Sequence, residues 1–273
     1  MKKIKWKNVI ILILLIIFLY LFISSLINII NWKKDSDNTK NIISDIENII
    51  EIEEVKDEDI VVEIVPQEKE IDKYNPYWDY IKMNLINVKF DELKKINSDT
   101  IGWITVNGTN INYPFVQAKN NDYYLNHSFD KTYNESGWVF LDYRNKIDLL
   151  DKNTIIYAHG RTEGTMFGSL KNILNNNWIN NKDNYVVKLS TENHNTLWQI
   201  FSVYRIPTTN DYIKVDFFSD DDFIVWANEL LERSFYNFNT TLSSNDNVLT
   251  LSTCYNNSDK IVLHAKLIKK ETR

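Results

Sequence analysis

The sequence is poor in the residues from which several common functional sites are built. Its 273 residues include one cysteine, six glycines and four prolines. A single cysteine excludes an intramolecular disulfide and any metal site made of several cysteines. The few glycines form neither a phosphate-binding loop nor a dinucleotide fingerprint, and HExxH and EF-hand motifs are also missing. We therefore predict no metal and no cofactor.

Positive charge is also scarce beyond the N-terminus. The chain holds 31 Lys and Arg against 37 Asp and Glu, a formal net charge of −6. Four of the lysines lie in the first 31 residues, where there is no acid, so the remainder holds 27 basic and 37 acidic residues. That acidic balance argues against nucleic acid as a partner, because binding it needs a basic surface.

A long uncharged run follows the four N-terminal lysines. Residues 9–30 carry no charged side chain, and as a helix they would extend about 33 Å, enough for a hydrocarbon core of roughly 30 Å. Trp6 and Trp32 flank the run, as is typical of membrane interfaces. We predict a cytoplasmic N-terminus over residues 1–8 and a transmembrane anchor over 9–31. A cleaved signal peptide is the alternative, although its apolar stretch would be shorter.

An acidic segment rich in asparagine and isoleucine spans residues 32–73. We interpret it as a solvated stalk or linker between the anchor and a folded domain. A coiled-coil or partner helix is the alternative, because five isoleucines recur there at helical spacing. They are Ile42, Ile43, Ile46, Ile49 and Ile50.

Residues 74–273 have the composition of a folded domain, which we predict to be mainly β with flanking helices. Asn107-Gly108 separates two alternating runs, the strongest short-range signal for a hairpin. Helices are predicted as a short pair between Tyr77 and Ile96, near Phe167–Leu174, and over Asp220–Phe235. Eight strands with few helices favour a closed barrel or a sandwich. The predicted strands are Ile101–Val106, Asn110–Gln117, Gly137–Asp142, Thr154–Ala158, Tyr185–Ser190, Leu197–Ile206, Val248–Thr253 and Ile261–Ile268.

Cys254 is the first candidate for chemistry. A lone cysteine is most often a small buried apolar residue. In a domain that lies outside the cell membrane, as predicted here, an unpaired thiol is open to oxidation. Cys254 also stands where a predicted strand ends and a polar loop begins, a common position for a reactive group on a rigid scaffold. Both facts favour a cysteine nucleophile.

A cysteine nucleophile needs a base or a cation nearby to hold the thiolate. Among the four histidines, His127 and His194 lie in polar, loop-like stretches, and His264 lies in mid-strand. His159 follows an apolar strand and precedes a glycine, so it too stands at a strand end. Cys254 and His159 are a candidate pair, while spacing alone leaves structural roles open for both.

Several motifs resemble those of sortases, the membrane-anchored cysteine transpeptidases of Gram-positive bacteria. Thr250-Leu-Ser-Thr-Cys254 is similar to the TLxTC signature, and Ile156-Tyr-Ala-His159 resembles the histidine segment of the family. Further stretches resemble class B sortases in particular, and the similarity runs in order through residues 74–273. These stretches are Ile96–Trp103, Thr109–Pro114, Asp122–Leu125 and Phe140–Asn145.

The resemblance implies an eight-stranded sortase barrel and a transpeptidation reaction. Cys254 would attack a Thr–Gly or similar bond in a sorting motif of the NPxTx or LPxTG type, forming a thioacyl-enzyme. An amine of a peptidoglycan precursor would resolve this intermediate, with His159 as general acid and base. The implied partners are the sorting-signal peptide of surface proteins, that amine and the membrane.

One position departs from the family pattern. Sortases carry an arginine on the strand after the cysteine, and in class B it falls four residues before a strand histidine. Counting back from His264 gives Lys260, which supplies a positive charge but not a planar, bidentate donor fork. Three interpretations stay open: Lys260 takes the role, another arginine takes it, or the enzyme is weak or inactive. The candidate arginines are Arg161, Arg144 and Arg205.

The resemblance also implies residues that line the peptide groove, although core packing or strand-end hydrogen bonding explains each of them equally well. They are Tyr157, Ser252, Thr253, Asn121 and Tyr255.

These inferences together predict a single-pass, class B-like sortase whose catalytic domain, residues 74–273, lies outside the cell membrane. One alternative is a weakly active or inactive surface binding module that keeps the sortase fold. A second is a pilin-polymerising sortase, which would carry an Asp-Pro-aromatic motif where this chain has Asn75-Pro76-Tyr77. A third is a plain cysteine protease, in which water resolves the thioacyl group.

Overall fold

The computed structural model of the protein describes residues 6–55, 62–65, 76–146, 151–256 and 258–273. The helices within them are α1 (Trp6–Ile49), α2 (Tyr77–Tyr80), α3 (Asp91–Ile96), α4 (Asn176–Ile179) and α5 (Asp220–Glu232). The strands are β1 (Ile52–Val55), β2 (Val62–Ile64), β3 (Leu85–Val88), β4 (Thr100–Val106), β5 (Asn112–Val116), β6 (Phe140–Leu141), β7 (Asn153–Tyr157), β8 (Val186–Thr191), β9 (His194–Pro207), β10 (Val248–Cys254) and β11 (Asp259–Thr272). Short 3-10 helices cover Tyr123–Leu125, Gly168–Leu174, Lys182–Asn184 and Asp211–Ile213.

Strands β4 to β11 close into an eight-stranded barrel. Around the barrel the order is β10, β7, β6, β5, β4, β8, β9 and β11, and β10 completes the circle by pairing with β11. Strand β2 extends this sheet at the far end of β11. The prediction of a mainly β domain with a closed barrel and flanking helices is confirmed.

The barrel is filled by large apolar side chains that alternate with outward-facing residues along the strands. Ile104 on β4, Phe115 on β5 and Trp198 on β9 lie on the same face of the sheet and are fully buried. Gly102 leaves room for this packing, because a Cβ there would lie 2.5 Å from the Phe115 ring and 2.6 Å from the Ser190 carbonyl oxygen. The core therefore requires glycine at position 102.

The region between Tyr77 and Ile96 differs from the predicted pair of helices. Helices α2 and α3 are present, but β3 lies between them and pairs antiparallel with β1. Leu85 and Val88 of β3 are fully buried. A partner strand more than 30 residues upstream decides this conformation, and a local helical pattern cannot reveal such a partner.

The acidic segment after the apolar run begins as a continuation of helix α1, which reaches Ile49 without a break. Its buried residues are Ser36, Thr39 and Ile46, which share one helix face. The isoleucine spacing is thus that of a helix packed on the barrel. Residues 56–61 and 66–73 of the predicted stalk lie outside the described residues, as do residues 74 and 75, and the domain boundary at residue 74 stays a prediction.

Helix α1 also contains the predicted anchor. Among the described residues it is the one helix long and apolar enough to cross a membrane, with a mean hydropathy of 3.2 over its most apolar stretch. That stretch is not buried by any other part of the chain.

A second apolar cluster covers the outer face of β9, β10 and β11. Helix α5 begins at the N-cap Ser219, whose hydroxyl accepts a hydrogen bond from the Asp222 amide, and it packs Phe223, Trp226 and Leu230 onto the strands. His264 is fully buried in this cluster. It has a structural role, as its mid-strand position predicts.

Two hydroxyls hold His264 in its neutral form. Thr250 Oγ1 donates to Asn153 Oδ1 at 2.6 Å and lies 2.9 Å from His264 Nδ1, so it accepts the Nδ1–H. The Tyr204 hydroxyl lies 2.8 Å from Nε2 and donates to it. Burial, followed by the positive charge of Arg233, lowers the pKa of His264 to about 3.

We expect the stability of the protein to fall in mild acid because of His264. A free histidine has a pKa of about 6.5, so below that pH the unfolded chain binds a proton that the folded chain refuses. The stabilisation is complete above pH 6.5 and is lost progressively as the pH falls towards about 3. Between these limits the slope of the unfolding free energy approaches about 1.4 kcal/mol per pH unit. Denaturant unfolding of the full chain in detergent, from pH 7.5 to 4.5, measures this slope.

His264→Gln should flatten the slope, and His159→Gln, at a half-buried position, serves as its matched control. An unchanged slope in His264→Gln would show that other groups cause the acid sensitivity.

Candidate active site

The only cysteine of the chain ends a barrel strand. Cys254 is the last residue of β10, and it is unpaired and exposed. The residues before it are buried in the barrel wall, so the thiol is held at the rim by a strand that is fixed on both sides.

Parallel pairing brings His159 to the same rim. Strands β7 and β10 run parallel, and Tyr157 pairs with Ser252 at the last position of the ladder. Two residues further along each strand are His159 and Cys254. In a parallel pair both C-terminal ends meet at one edge, and the candidate pair therefore lies side by side.

The backbones of the two strand exits touch beyond the ladder. The Thr253 hydroxyl donates a 2.8 Å hydrogen bond to the Ala158 carbonyl oxygen. A Cβ at Gly160 would lie 2.2 Å from the Cys254 carbonyl oxygen. The glycine after His159 is required by this close approach, so a feature noted in the sequence has a direct structural cause.

A backbone carbonyl holds the His159 ring. Nε2 lies 2.7 Å from the Leu125 carbonyl oxygen. Since a carbonyl oxygen can only accept, Nε2 carries a hydrogen, and Nδ1 of the neutral ring is free to act as a base. Leu125 belongs to the 3-10 helix Tyr123–Leu125, in a stretch that the sequence analysis associated with class B sortases.

Lys260 contacts the sulfur directly. It pairs with Cys254 across the antiparallel β10–β11 ladder, and its Nζ donates to Cys254 Sγ at 3.0 Å. An ammonium group at this distance can interact with negative charge that develops nearby during a reaction. The residue found by counting back from His264 therefore lies beside the nucleophile.

The three candidate arginines have other partners. Arg161 pairs with Glu163 at 2.9 Å, and Arg144 makes two hydrogen bonds to Asp142. Arg205 pairs with Asp259 and lies over the ring of Tyr255, 4.1 Å from its centroid. Among these four basic residues, a hydrogen bond to the sulfur is seen for Lys260.

A cleft of about 300 Å³ opens beside the thiol. It is lined by the cysteine, the histidine and the lysine, together with four of the five groove residues that the resemblance implies. These four are Asn121, Tyr157, Ser252 and Thr253. Tyr255 does not line this cleft, and its ring faces Arg205 instead.

A buried carboxylate organises one wall of the cleft. Asp142 is fully buried and accepts hydrogen bonds from Asn121 Nδ2 and the Tyr157 hydroxyl, both at 3.0 Å. Burial disfavours its charge, but the hydrogen bonds from Arg144 outweigh this and lower the pKa of Asp142. Burial, followed by the charge of Asp142, raises the pKa of Tyr157.

The sequence analysis did not assign a role to Asp142 or to Tyr212. Asp142 belongs to the quoted stretch Phe140–Asn145, and an acid followed two residues later by an arginine was a usable signal. Tyr212 is buried in the cleft wall, with its hydroxyl 3.0 Å from Ser252 Oγ. No sequence signal marks Tyr212. It belongs to the 3-10 helix Asp211–Ile213 and lies 40 residues before Ser252 in the chain.

Metal ligands are not gathered at this site or elsewhere in the described parts of the chain. No group of three or more His, Cys, Asp or Glu residues is placed there so that it could hold a metal ion.

Comparisons with known proteins agree with this geometry. The family model described as the sortase domain matches residues 104–268. Sortase B of Listeria monocytogenes is 36% identical over 183 residues, which cover 66% of this chain and 74% of that protein. Sortase B of Bacillus anthracis in complex with AAEK1 has a TM-score of 0.61 and 38% identity, covering 66% of this chain and 84% of that one.

A third comparison is the Staphylococcus aureus sortase B–substrate complex, with a TM-score of 0.62 and 35% identity over 66% of this chain and 84% of that one. The family model spans more than half of the chain, and the class B relatives share over a third of its aligned residues. The chain therefore belongs to the sortase family of cysteine transpeptidases, within class B.

Proposed function

We propose that the protein is a membrane-anchored transpeptidase that joins surface proteins to a peptidoglycan-precursor amine. The observation that carries the proposal is the placement of a free thiol, 3.0 Å from an ammonium group, at the strand exit next to His159. A thiol, a base and a cation at one cleft are the groups that acyl transfer through a thioester needs.

In the first half-reaction, Cys254 gives its thiol proton to His159, and its Sγ attacks the carbonyl carbon of the scissile bond in the sorting motif. The bond to the leaving nitrogen breaks, a thioester forms, and His159 gives a proton to the departing amine. In the second half-reaction, the amine of the precursor attacks the thioester and gives its proton to His159. The C–S bond then breaks, and the sulfur takes this proton from His159, which restores the thiol and the neutral histidine.

Lys260 would replace the arginine of other sortases. Its ammonium group can stabilise both the thiolate and the oxygen that becomes negative in the tetrahedral intermediate. It offers a point charge with three donors, whereas an arginine offers a planar fork. The ion pairs of Arg144, Arg161 and Arg205 already occupy those guanidinium groups, which favours Lys260 for the role.

The peptide would bind in the 300 Å³ cleft beside the thiol. The Asn121 amide and the hydroxyls of Tyr157, Ser252 and Tyr212 provide polar groups along its wall. The Staphylococcus aureus relative is known as a complex with substrate, which supports a peptide ligand here. We propose a pentapeptide of the NPxTx or LPxTG type, with its first residue open.

Helix α1 would anchor the enzyme. Its apolar part, residues 9–31, is long enough to span a bilayer, and the lysines before it favour a cytoplasmic N-terminus. The catalytic domain would then lie outside the cell membrane. A weakly active or inactive binding module is the second candidate, and lysine at position 260 is the specific observation behind it.

Turnover should depend on all three groups around the sulfur. We expect Cys254→Ala and His159→Ala to abolish cleavage of quenched motif peptides by the full chain in detergent micelles. Lys260→Ala should lose roughly 100-fold in kcat/KM, or about 2.7 kcal/mol of transition-state stabilisation. Mass spectrometry of the product formed with an added amine separates transpeptidation from hydrolysis.

Lys260→Arg is the matched control, because it keeps the charge and should retain activity. Full activity in Lys260→Ala would move the role to another cation, with Arg161 tested next. If the parent cleaves none of the peptides while Lys260→Arg does, the binding-module function is correct.

Asn121 should act in peptide binding. Its amide is held by Asp142 and lies in the cleft wall. We expect Asn121→Ala to raise KM for the motif peptide about ten-fold, the loss of roughly one hydrogen bond, with little change in kcat. Steady-state kinetics measure both parameters.

Asn126→Ala is the control for Asn121→Ala, because Asn126 is an exposed asparagine of the next turn that does not line the cleft. Equal KM values in the two variants would remove Asn121 from the binding site.

A further inference from the structure

His159 is carried by a tightly closed loop, which we call the histidine loop (residues 159–168). The Phe167 amide donates a 3.0 Å hydrogen bond to the His159 carbonyl oxygen, and Gly160 and Met166 form a β-bridge. Gly168 closes the loop, because a Cβ there would lie 2.0 Å from the Arg161 carbonyl oxygen. A loop so constrained moves as a unit, so a contact at Arg161 also places His159.

The histidine loop contacts helix α1 through an ion pair. Arg161 and Glu163 pair at 2.9 Å, and the side chain of each is only 12% exposed. The Arg161 guanidinium also lies over the ring of Trp32 in helix α1, 5.7 Å from its centroid. The buried Ser36 of the same helix hydrogen-bonds the Glu163 carboxylate.

The charge of Glu163 is favoured at this contact. Burial raises its pKa, but hydrogen bonds from its own backbone amide, from Arg161 and from Ser36 bring the pKa below its ordinary value. Ser36 of helix α1 thus donates a hydrogen bond to the ionised Glu163 carboxylate, which lies two positions after Arg161.

The segment that holds the other side of His159 contacts the same helix face. The Leu125 carbonyl oxygen accepts the His159 Nε2–H. The carbonyl oxygen of the next residue, Asn126, accepts a 3.0 Å hydrogen bond from the backbone amide of Asn134. Asn134 is fully buried, and its Nδ2 donates to the Asp35 carbonyl oxygen and to Thr39 Oγ1, both at 3.1 Å. The Glu135 amide donates to Asp35 Oδ2 at 3.1 Å.

The contacts of helix α1 change from polar to apolar along its length. Beyond Thr39, the isoleucines of the same face pack against the core and dock the helix by apolar contacts. The contacts of Trp32, Asp35, Ser36 and Thr39 instead go to the two segments that hold His159. Mere attachment to the barrel does not need polar, buried contacts placed on both sides of one catalytic group.

We infer that residues 32–39 of helix α1 are positioning residues that hold His159 in place for proton transfer. The inference rests on the proposed function, in which His159 is the general acid and base. The same helix carries the proposed apolar anchor, residues 9–31, which ends directly before Trp32. Membrane anchoring and the alignment of the catalytic histidine would then depend on one continuous helix.

The test uses the full chain in lipid nanodiscs and compares two serines of helix α1. Ser36→Val removes the donor to Glu163, and Ser44→Val makes the same change at an exposed position. We expect Ser36→Val to lower kcat for the motif peptide about ten-fold, because small misplacements of catalytic groups slow chemistry steeply. Its KM should stay within two-fold of the parent, Ser44→Val should match the parent, and Ser36→Thr, which keeps the hydroxyl, should restore kcat.

Hydrogen exchange gives a second measurement that does not depend on activity. The amides of Gly164, Phe167 and Gly168 close the histidine loop, and they should exchange faster in Ser36→Val than in Ser44→Val. Asn134→Ala, which releases the opposite side, should show the same kcat loss with unchanged KM if Ser36→Val does not fold.

The outcomes separate the two proposals. If His159→Ala keeps its turnover, the proposed function fails and this inference fails with it. If His159→Ala is silent while Ser36→Val equals Ser44→Val in kcat and in exchange, the inference alone is wrong. A Ser36→Val variant that loses kcat and KM together with its thermal stability, and is not restored by Ser36→Thr, would indicate a merely structural contact and would also overturn it.

Discussion

The site depends on the parallel pairing of β7 with β10 inside a closed barrel. This pairing gives the strand exits at His159 and Cys254 the same direction at the same level. Because β10 is also held by β11 on its other side, the thiol cannot drift along its strand without breaking two ladders. Gly160 and the Thr253 hydroxyl extend the fit beyond the last paired residues. A shift of one residue would turn the reactive side chains to the opposite face.

Electrostatics around the sulfur follow from the other ladder. The antiparallel register of β10 and β11 sets Lys260 opposite Cys254, so a positive charge meets the thiol without help from a loop. A different charge fixes the cleft wall. The buried Asp142 is ionised and pairs with Arg144. Lys260 contacts the sulfur, whereas Asp142 orients the neutral side chains of Asn121 and Tyr157 in the cleft wall.

Helix α1 ties this site to the part of the chain that precedes the barrel. One face of the helix is apolar further along and polar near Ser36, and the polar part meets both segments that hold His159. Under the proposed anchoring, helix α1 is a stiff element between the bilayer and the barrel. A displacement of residues 32–39 would therefore also displace the histidine loop. The acidic stretch after the apolar run is in this view part of the catalytic framework as far as Ile49.

The sequence by itself determined the long apolar helix, the barrel strands, the cysteine at one strand end and the histidine at another, because each of these rests on local periodicity or on a short motif. It could also locate Lys260 by its distance from His264. Only the tertiary structure decided that Lys260 and not an arginine contacts the sulfur, that Tyr255 turns to Arg205, and that Asp142 and Tyr212 build the cleft. Strand β3 and the docking of helix α1 belong to the same group. Lys260 meets Cys254, six residues away, because β10 and β11 pair antiparallel. The other features depend mostly on partners more than ten residues away, and pairing between distant segments leaves no periodic trace in either of them.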